Sequence, residues 1–269
     1  MCVECPKRFP LLKSYATDCI QIRSEILAED TEEKMNVLQL LVSIIDRPAT
    51  TMSYVGKKPG WTWVTPALLV LVGLVVFSVV TAPYTSELAM RQAQQQMASL
   101  PPQQAEQAAA QIERFTSPPM VAGFSIIGGL VTLAVIWLVS AGVLYFLGLV
   151  AGGEANFGQS FVILVWCWLP YALRNLVMAA YVTYSGKLLN PGLSSLVATG
   201  DQAKDTANWL YGLLAQVDLF YLWHLILVIV GLAAVGRFSK TKATIVGLIY
   251  LAVTTALSLI PTLVGSMFS

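Results

Sequence analysis

Residues 165–182, VWCWLPYALRNLVMAAYV, decide the fold class of this chain. The stretch is apolar enough to cross a membrane, yet Pro170 and the adjacent Arg174 and Asn175 lie close to its middle. A proline removes a backbone donor from a helix, and an arginine inside a bilayer needs a partner or a polar cavity. The stretch therefore predicts a kinked transmembrane helix with a polar feature that faces other helices.

The composition of the whole chain is typical of an integral membrane protein. Charged residues make up 12% of the 269 residues and hydrophobic residues 56%, whereas an average soluble domain has about 25% charged residues. The formal net charge of +1 lacks the basic excess of nucleic-acid-binding proteins, so we expect no nucleic-acid partner. The first long apolar run begins only near residue 61, so we expect no signal peptide.

Five apolar runs are long enough to cross a bilayer, which takes about 20 residues. They lie near residues 62–82, 121–149, 160–184, 216–236 and 243–266. The predicted fold is an all-α integral membrane protein, with a bundle of five transmembrane helices in residues 61–267.

The positively charged residues predict how the bundle is oriented. They are concentrated before the first span, at Arg47, Lys57 and Lys58, and between the last two spans, at Arg237, Lys240 and Lys242. Loops rich in lysine and arginine face the cytoplasm. We therefore expect a cytoplasmic N-terminus and an outside C-terminus, on the opposite sides that five spans require.

Three further segments lie outside these spans. Residues 35–60 predict an interfacial amphipathic segment, because residues 36–46 carry one polar stripe on an apolar helix that either lies in the cytoplasmic interface or packs under the bundle. Residues 1–34 are either a cytoplasmic arm or a stretch assigned to the protein in error, in which case translation starts at Met35. Residues 84–117, rich in glutamine and alanine, predict an outside helical hairpin broken at Pro101 and Pro102.

A phosphate-binding loop is the nearest motif match, at residues 153–160, GEANFGQS. Gln159 stands where that motif has its lysine, and an apolar span replaces the strand that should precede the loop. The segment is better interpreted as a tight cytoplasmic turn between two helices.

No residue pattern indicates catalysis or metal binding. His224 is the only histidine, and the Cys2 and Cys5 pair has no second half-site at the spacing that zinc requires. No nucleophile stands out to complete a triad with His224 and Asp218. We therefore expect no metal, no cofactor and no enzymatic activity.

The polar residues of the third and fourth spans form the one candidate site. In the five-span arrangement Arg174 lies slightly outside the midplane with His224 at a similar depth, and Asp218 is about 9 Å further out. The long stem of Arg174 can reach Asp218. One interpretation is an ion pair that fixes the two spans together. The other is a polar cavity, completed by Asn175, that holds an anionic lipid head group or a small solute.

Four segments carry a resemblance to a known family: SIIDRPATTMSYV (43–55), GGEANFGQSF (152–161), WLPYAL (168–173) and LWHLILVIVGLAAVGRFSKTKA (222–243). In this order they resemble bacterial members of the Yip family, the Ypt/Rab-interacting membrane proteins, over roughly residues 36–266. The resemblance implies five helices and a multi-pass protein of the bacterial plasma membrane. It also implies architectural roles for Pro48, Gly152, Gly153, Phe157, Pro170, Gly231, Ser239, Lys240, Lys242 and Ala243. Eukaryotic relatives act in vesicle traffic with small GTPases, but their tyrosine-containing motif is not recognisable here, so that partner is not expected.

Two functions follow as hypotheses. The first is a non-enzymatic scaffold or adaptor that associates with other membrane proteins, such as exporter subunits, through the interfacial segment and the outside hairpin. The second is lipid or small-solute handling at Arg174, Asn175, Asp218 and His224. The expected partners are membrane lipids and other membrane proteins, and a homo-oligomer is left open.

Overall fold

The computed structural model describes residues 35–98 and 101–267 of the chain. The arm predicted at residues 1–34, with Cys2 and Cys5, lies outside the described residues. Within those ranges every regular element is a helix, which confirms the all-α class. The chain divides into one unit that ends at Val42 and a second that begins at Ser43.

Two short helices occupy the segment that precedes the first span. Helix α1 is Val37–Asp46, and helix α2 is Pro48–Lys57. Asn36 and Gln39 cap α1 reciprocally, because each side-chain oxygen accepts from the other residue's backbone N–H, at 2.7 and 2.9 Å. Pro48 begins α2, a position where the missing N–H has no cost.

The remaining elements run to residue 267. They are α3 (Val64–Met97), α4 (Pro102–Phe115), α5 (Pro118–Val150), α6 (Phe157–Cys167), α7 (Leu169–Ser185), α8 (Gln202–Ala207), α9 (Trp209–Leu214), α10 (Leu219–Val235) and α11 (Lys240–Met267), with 3-10 turns at Trp61–Trp63 and Ser194–Leu196.

Four helical segments of the described chain are long and apolar enough to cross a membrane. They are Trp61–Met97, Pro118–Val150, Phe157–Ser185 and Lys240–Ile260. Helix α10 is equally apolar but has 17 residues, so it is about 26 Å long against a hydrocarbon core of about 30 Å. The chain is thus a multi-pass membrane protein with four candidate spans, and a count of five depends on α10.

The helix of the first span is longer than the apolar run near residues 62–82. Helix α3 continues through Pro83 to Met97. Thr85 Oγ1 donates to the Thr81 carbonyl at 3.0 Å, which adds a side-chain hydrogen bond beside the position where proline has no N–H. The residues after Pro83 are strong helix formers that prolong the helix. The predicted hairpin therefore consists of the last turns of α3 followed by α4.

The third span is interrupted where the sequence predicts a kink. Helix α6 ends at Cys167 and α7 begins at Leu169, with Trp168 between them and Pro170 in the first turn of α7. Pro170 is well placed at a helix start, where its fixed backbone angle fits and its missing N–H is not needed.

Close backbone contacts hold α6 and α7 at the centre of the bundle. A Cβ on Gly73 of α3 would lie 2.9 Å from the Ala172 carbonyl oxygen of α7, and a Cβ on Gly231 of α10 would lie 2.4 Å from Ile163 Cγ2 of α6. The six residues 162–167 of α6 are all buried. These contacts fix the helices that carry the candidate polar residues.

Candidate functional site

An ion pair joins α7 to the start of α10. Arg174 Nε lies 2.8 Å from Asp218 Oδ2, and the two side chains are 23% and 18% exposed. Asp218 also caps α10, because its Oδ1 accepts the Tyr221 backbone N–H at 2.8 Å. The pairing expected from the sequence is present. Asp218 lies at the helix start, not within the helix.

The His224 side chain forms a hydrogen bond at the break between α6 and α7. Its Nδ1 lies 2.7 Å from the Cys167 carbonyl oxygen. A carbonyl can only accept, so Nδ1 carries the hydrogen. The Tyr171 N–H, which would reach Cys167 in a continuous helix, instead donates to the Trp168 carbonyl at 3.0 Å. The break thus frees the Cys167 carbonyl, and His224 satisfies it.

The sequence predicts that His224 lies at a depth similar to that of Arg174. The imidazole packs beside Trp168 and Tyr171, with ring centroids 6.1 and 5.2 Å away. The helix is not merely kinked at Pro170, because Trp168 separates α6 from α7.

Three of the four candidate residues border one cavity of about 940 Å³: Arg174, Asn175 and His224. Asp218 is not among its lining residues. The other lining residues are Val70, Leu74, Gly129, Thr132, Leu133, Val135, Ile136, Val139, Ser140, Trp168, Tyr171, Gln216, Tyr221, Tyr250, Leu251, Thr254, Thr255, Leu257 and Ser258. The wall formed by α3 and α5 is largely apolar, whereas α7, α10 and α11 contribute most of the polar groups.

Polar contacts from α10 and from the link before it to α11 build part of this wall. The Tyr221 hydroxyl lies 2.6 Å from Thr255 Oγ1, and Gln216 Nε2 donates to Ser258 Oγ at 2.8 Å. Sequence reasoning missed these residues, since single hydroxyls in apolar runs are common. The signal that could have found them is the spacing of Thr254, Thr255 and Ser258, which places three hydroxyls on one face of α11.

An indole N–H at the cavity wall lacks a protein acceptor. Trp168 lines the cavity, and its buried Nε1 has no hydrogen-bond partner among the described residues. An indole nitrogen can only donate. The buried Nε1 atoms of Trp137 and Trp166, which do not line the cavity, also have no partner among the described residues, so this feature does not distinguish the cavity.

The cavity reaches the apolar outer surface of the bundle between α5 and α11. Val135 and Val139 of α5 are 54% and 46% exposed, Leu257 of α11 is 40% exposed, and all three line the cavity. In a membrane protein such exposed apolar side chains contact acyl chains. The cavity is thus accessible from the lipid phase.

The glycines that the family resemblance marks as architectural act through close packing. Gly152 has a φ of +73°, which favours glycine. A Cβ on Gly153 would lie 2.7 Å from Phe238 Cζ. The predicted turn at residues 153–160 is present, because Asn156 and Gln159 form a capping box that starts α6.

The other architectural positions flank the start of α6 and the link between α10 and α11. Phe157 is the first residue of α6. Ser239 Oγ accepts the Lys242 N–H at 3.3 Å near Lys240, where α11 begins. Lys242 Nζ lies 4.7 Å from the centroid of the Phe238 ring, and Ala243 is fully buried. None of the ten architectural positions lines the 940 Å³ cavity.

The described residues contain no group of three or more His, Cys, Asp or Glu side chains that could hold a metal ion. A model of the Yip1 domain matches residues 42–260, which is most of the chain. None of the curated proteins and none of the solved structures compared with the chain matches it.

Proposed function

We infer, from the premise that this chain belongs to the Yip1 family of membrane proteins, that its helix bundle binds a lipid-like amphiphile in the cavity beside Arg174. In this proposal α10 is a fifth span, the N-terminus is cytoplasmic and the C-terminus is outside. The membrane is the bacterial plasma membrane. The proposed function includes no catalytic step.

The observation that carries this proposal is the two-sided lining of the cavity. One wall offers aliphatic side chains of α3 and α5, and the other offers the Arg174 guanidinium, the Asn175 amide and the hydroxyls of α11. An amphiphile matches such a lining, because its acyl part packs on the aliphatic wall while its head group receives hydrogen bonds. A purely apolar ligand would make no use of the Arg174 guanidinium or of the Asn175 amide.

The size and the opening of the cavity support the same ligand class. A volume of about 940 Å³ lies in the upper part of the range for small-molecule sites, about 300–1,000 Å³. It can hold a head group and the first part of an acyl chain while the remainder stays in the bilayer. The opening between α5 and α11 provides access from the lipid phase.

A cavity-filling variant tests the proposal. Thr132 of α5 lines the cavity and is exposed, so Thr132→Trp should fill the space with little effect on packing elsewhere. We expect native mass spectrometry of the purified protein to show bound lipid for the wild type and a loss of it for Thr132→Trp. The matched control is Leu138→Trp, on the same helix but outside the cavity lining and 56% exposed. Equal lipid retention by all three proteins would count against binding in the cavity.

A second function, an adaptor for other membrane proteins, is favoured by the outer face of α4. Ala105, Ala108 and Ile112 are half-buried along one side of this helix, whereas Gln103 and Gln107 are exposed on the other. The Ser86 hydroxyl donates to the Thr116 carbonyl and ties the end of α4 to α3. The hairpin therefore fixes α4 against α3 and leaves the exposed glutamine-rich face of α4 available to another protein.

The adaptor function is tested without removing the hairpin. Gln103→Lys combined with Gln107→Lys changes the exposed face and leaves the half-buried face intact. We expect cross-linking in native membranes, read by mass spectrometry, to lose a partner protein in this variant and to keep it in Thr132→Trp. The measurement can identify cross-links both to exporter subunits and to a second copy of this chain. Retention of every cross-link by the double variant would exclude docking through this face.

A further inference from the structure

We propose that the cavity selects a zwitterionic head group, with a phosphate at Arg174 and an ammonium group at the neighbouring aromatic rings, over a head group with net negative charge. This inference rests on the proposed function and specifies the class of its ligand. It follows from the charge balance of the site and from its aromatic lining.

The arginine of the cavity is already neutralised by the protein. Arg174 is the only lysine, arginine, aspartate or glutamate among the lining residues, and its Nε lies 2.8 Å from Asp218 Oδ2. With His224 counted as neutral, the site carries one positive and one negative charge. A ligand with net negative charge would add a charge that nothing balances, in surroundings where an unpaired charge is strongly disfavoured.

A phosphate within a neutral head group meets hydrogen-bond donors without this imbalance. Arg174 has five N–H groups in a planar fork, of which the ion pair engages Nε. Asn175 adds an amide. The cavity wall thus combines one charged and one neutral donor group.

Aromatic rings provide the place for the ammonium group. Trp168, Tyr171 and Tyr250 all line the cavity, and the Trp168 and Tyr171 ring centroids are 4.7 Å apart. His224 lies between them and Tyr250, with centroids 5.2 Å from Tyr171 and 6.3 Å from Tyr250. Clustered aromatic faces attract ammonium cations, most strongly where water is excluded. Tyr171 and Arg174 lie one turn apart on α7, so both ends of one head group can be held together.

Asp218→Asn is the decisive variant. Asparagine caps helices as well as aspartate does, so α10 should still begin at the same residue while the negative charge is lost. Arg174 then lacks its counter-charge, and an anionic lipid can supply one. The wild type should prefer phosphatidylethanolamine over phosphatidylglycerol when both are offered in equal amounts. The variant should shift this ratio toward phosphatidylglycerol by about tenfold or more.

The measurement is native mass spectrometry of protein released from mixed vesicles of these two lipids. Asp201→Asn is the matched control, because it removes the same charge at a residue that does not line the cavity, and it should keep the wild-type ratio. An unchanged ratio in Asp218→Asn, or a wild type that prefers phosphatidylglycerol, would overturn the inference while lipid binding itself stands. Loss of all cavity-dependent binding in the Thr132→Trp test is a separate result that overturns the proposed function.

A second variant keeps the test decisive if Asp218→Asn does not fold. Tyr171→Leu removes one aromatic face but keeps a large apolar side chain and the Arg174 pair. It should lower the ratio of bound phosphatidylethanolamine to bound phosphatidylglycerol several-fold. The ratio should fall because less phosphatidylethanolamine is bound, while the amount of bound phosphatidylglycerol does not rise. Unaltered selectivity in this variant would contradict the aromatic part of the site.

Discussion

At the residue scale, Asp218 meets two demands with one carboxylate. One oxygen accepts the Tyr221 N–H at the start of α10, and the other lies 2.8 Å from Arg174 Nε. Both bonds are charge-assisted, and each holds the carboxylate in the position that the other bond requires. A single residue therefore decides where α10 begins and how α10 is tied to α7.

Breaking the pair from one side should be worse than removing it. Arg174→Met leaves a partly buried carboxylate without its counter-charge, which we expect to lower the free energy of unfolding by about 3 kcal/mol. Adding Asp218→Asn should recover most of this loss, because the cap is kept and the unpaired charge is gone. Adding Asp218→Leu should recover about 1 kcal/mol less, because the cap is lost.

Denaturation in mixed micelles, followed by tryptophan fluorescence, measures these four proteins and the Asp218→Asn single variant, which completes the double-mutant cycle. Additive effects of the two substitutions would contradict a direct coupling between Arg174 and Asp218.

The histidine bond at the helix break has a similar test. His224→Phe keeps an aromatic ring but leaves the buried Cys167 carbonyl without its donor, so we expect a destabilisation of about 1–3 kcal/mol. His224→Asn offers an amide N–H near the position of Nδ1 and should retain part of the stability. Thermal unfolding compares the two variants. If His224→Phe matched the wild type, the bond to Cys167 would have no structural role.

At the element scale, two prolines in apolar helices have opposite outcomes. Pro83 lies inside the continuous helix α3, whereas Pro170 begins α7 after a break at Trp168. At Pro170 the break is supported from outside the helix, because His224 of α10 takes the free Cys167 carbonyl. Near Pro83 the side chains of the same helix bond its carbonyls, as Thr85 does with Thr81. Proline alone therefore does not decide whether a helix breaks.

The contact between α3 and α7 predicts how these two elements respond to a single added methyl group. A Cβ on Gly73 would meet the Ala172 carbonyl oxygen at 2.9 Å, and a backbone atom cannot move aside as a side chain can. Gly73→Ala should therefore destabilise the bundle by about 1–3 kcal/mol.

Gly142→Ala in α5 is the control for this prediction, because a Cβ there meets no atom within 4 Å. It should be neutral or stabilising by up to about 1 kcal/mol, owing to the better helix propensity of alanine. Thermal unfolding in one detergent ranks the three proteins. A Gly73→Ala protein as stable as Gly142→Ala would mean that α3 and α7 can separate at no cost.

At the scale of the whole molecule, the position of α10 decides the number of spans. This helix is apolar apart from Tyr221 and His224, and it is shorter than the hydrocarbon core. Its first residue follows Asp218, whose charge Arg174 balances, and its last residue precedes the exposed Arg237 and Glu154 pair at 2.9 Å. These charged groups at the two ends are consistent with α10 crossing the membrane between them.

Single cysteines can locate the two ends of α10. Asp201 and Thr241 are exposed on either side of this helix, and each is changed to cysteine in a chain whose other cysteines are replaced. If α10 spans the membrane, a membrane-impermeant maleimide added to intact cells should label Asp201→Cys and not Thr241→Cys. Lysed cells control for reactivity at both positions. Labelling of both from the outside would show that α10 does not cross.

The sequence by itself determined the membrane class, the all-helical fold and the family, and it offered the Arg174 and Asp218 pair as one of two interpretations. These depend on composition, on the length of apolar runs, on the order of short motifs and on the need of a charge in lipid for a partner, all of which can be read along the chain. The tertiary structure alone decided that α3 passes through Pro83, that Trp168 interrupts the third span and that His224 satisfies Cys167. It also decided that hydroxyls of α11 and the Tyr171 ring of α7 border one cavity. Those features depend on which groups of different helices meet, and the spacing within one helix shows which side chains share a face but not which helix that face contacts.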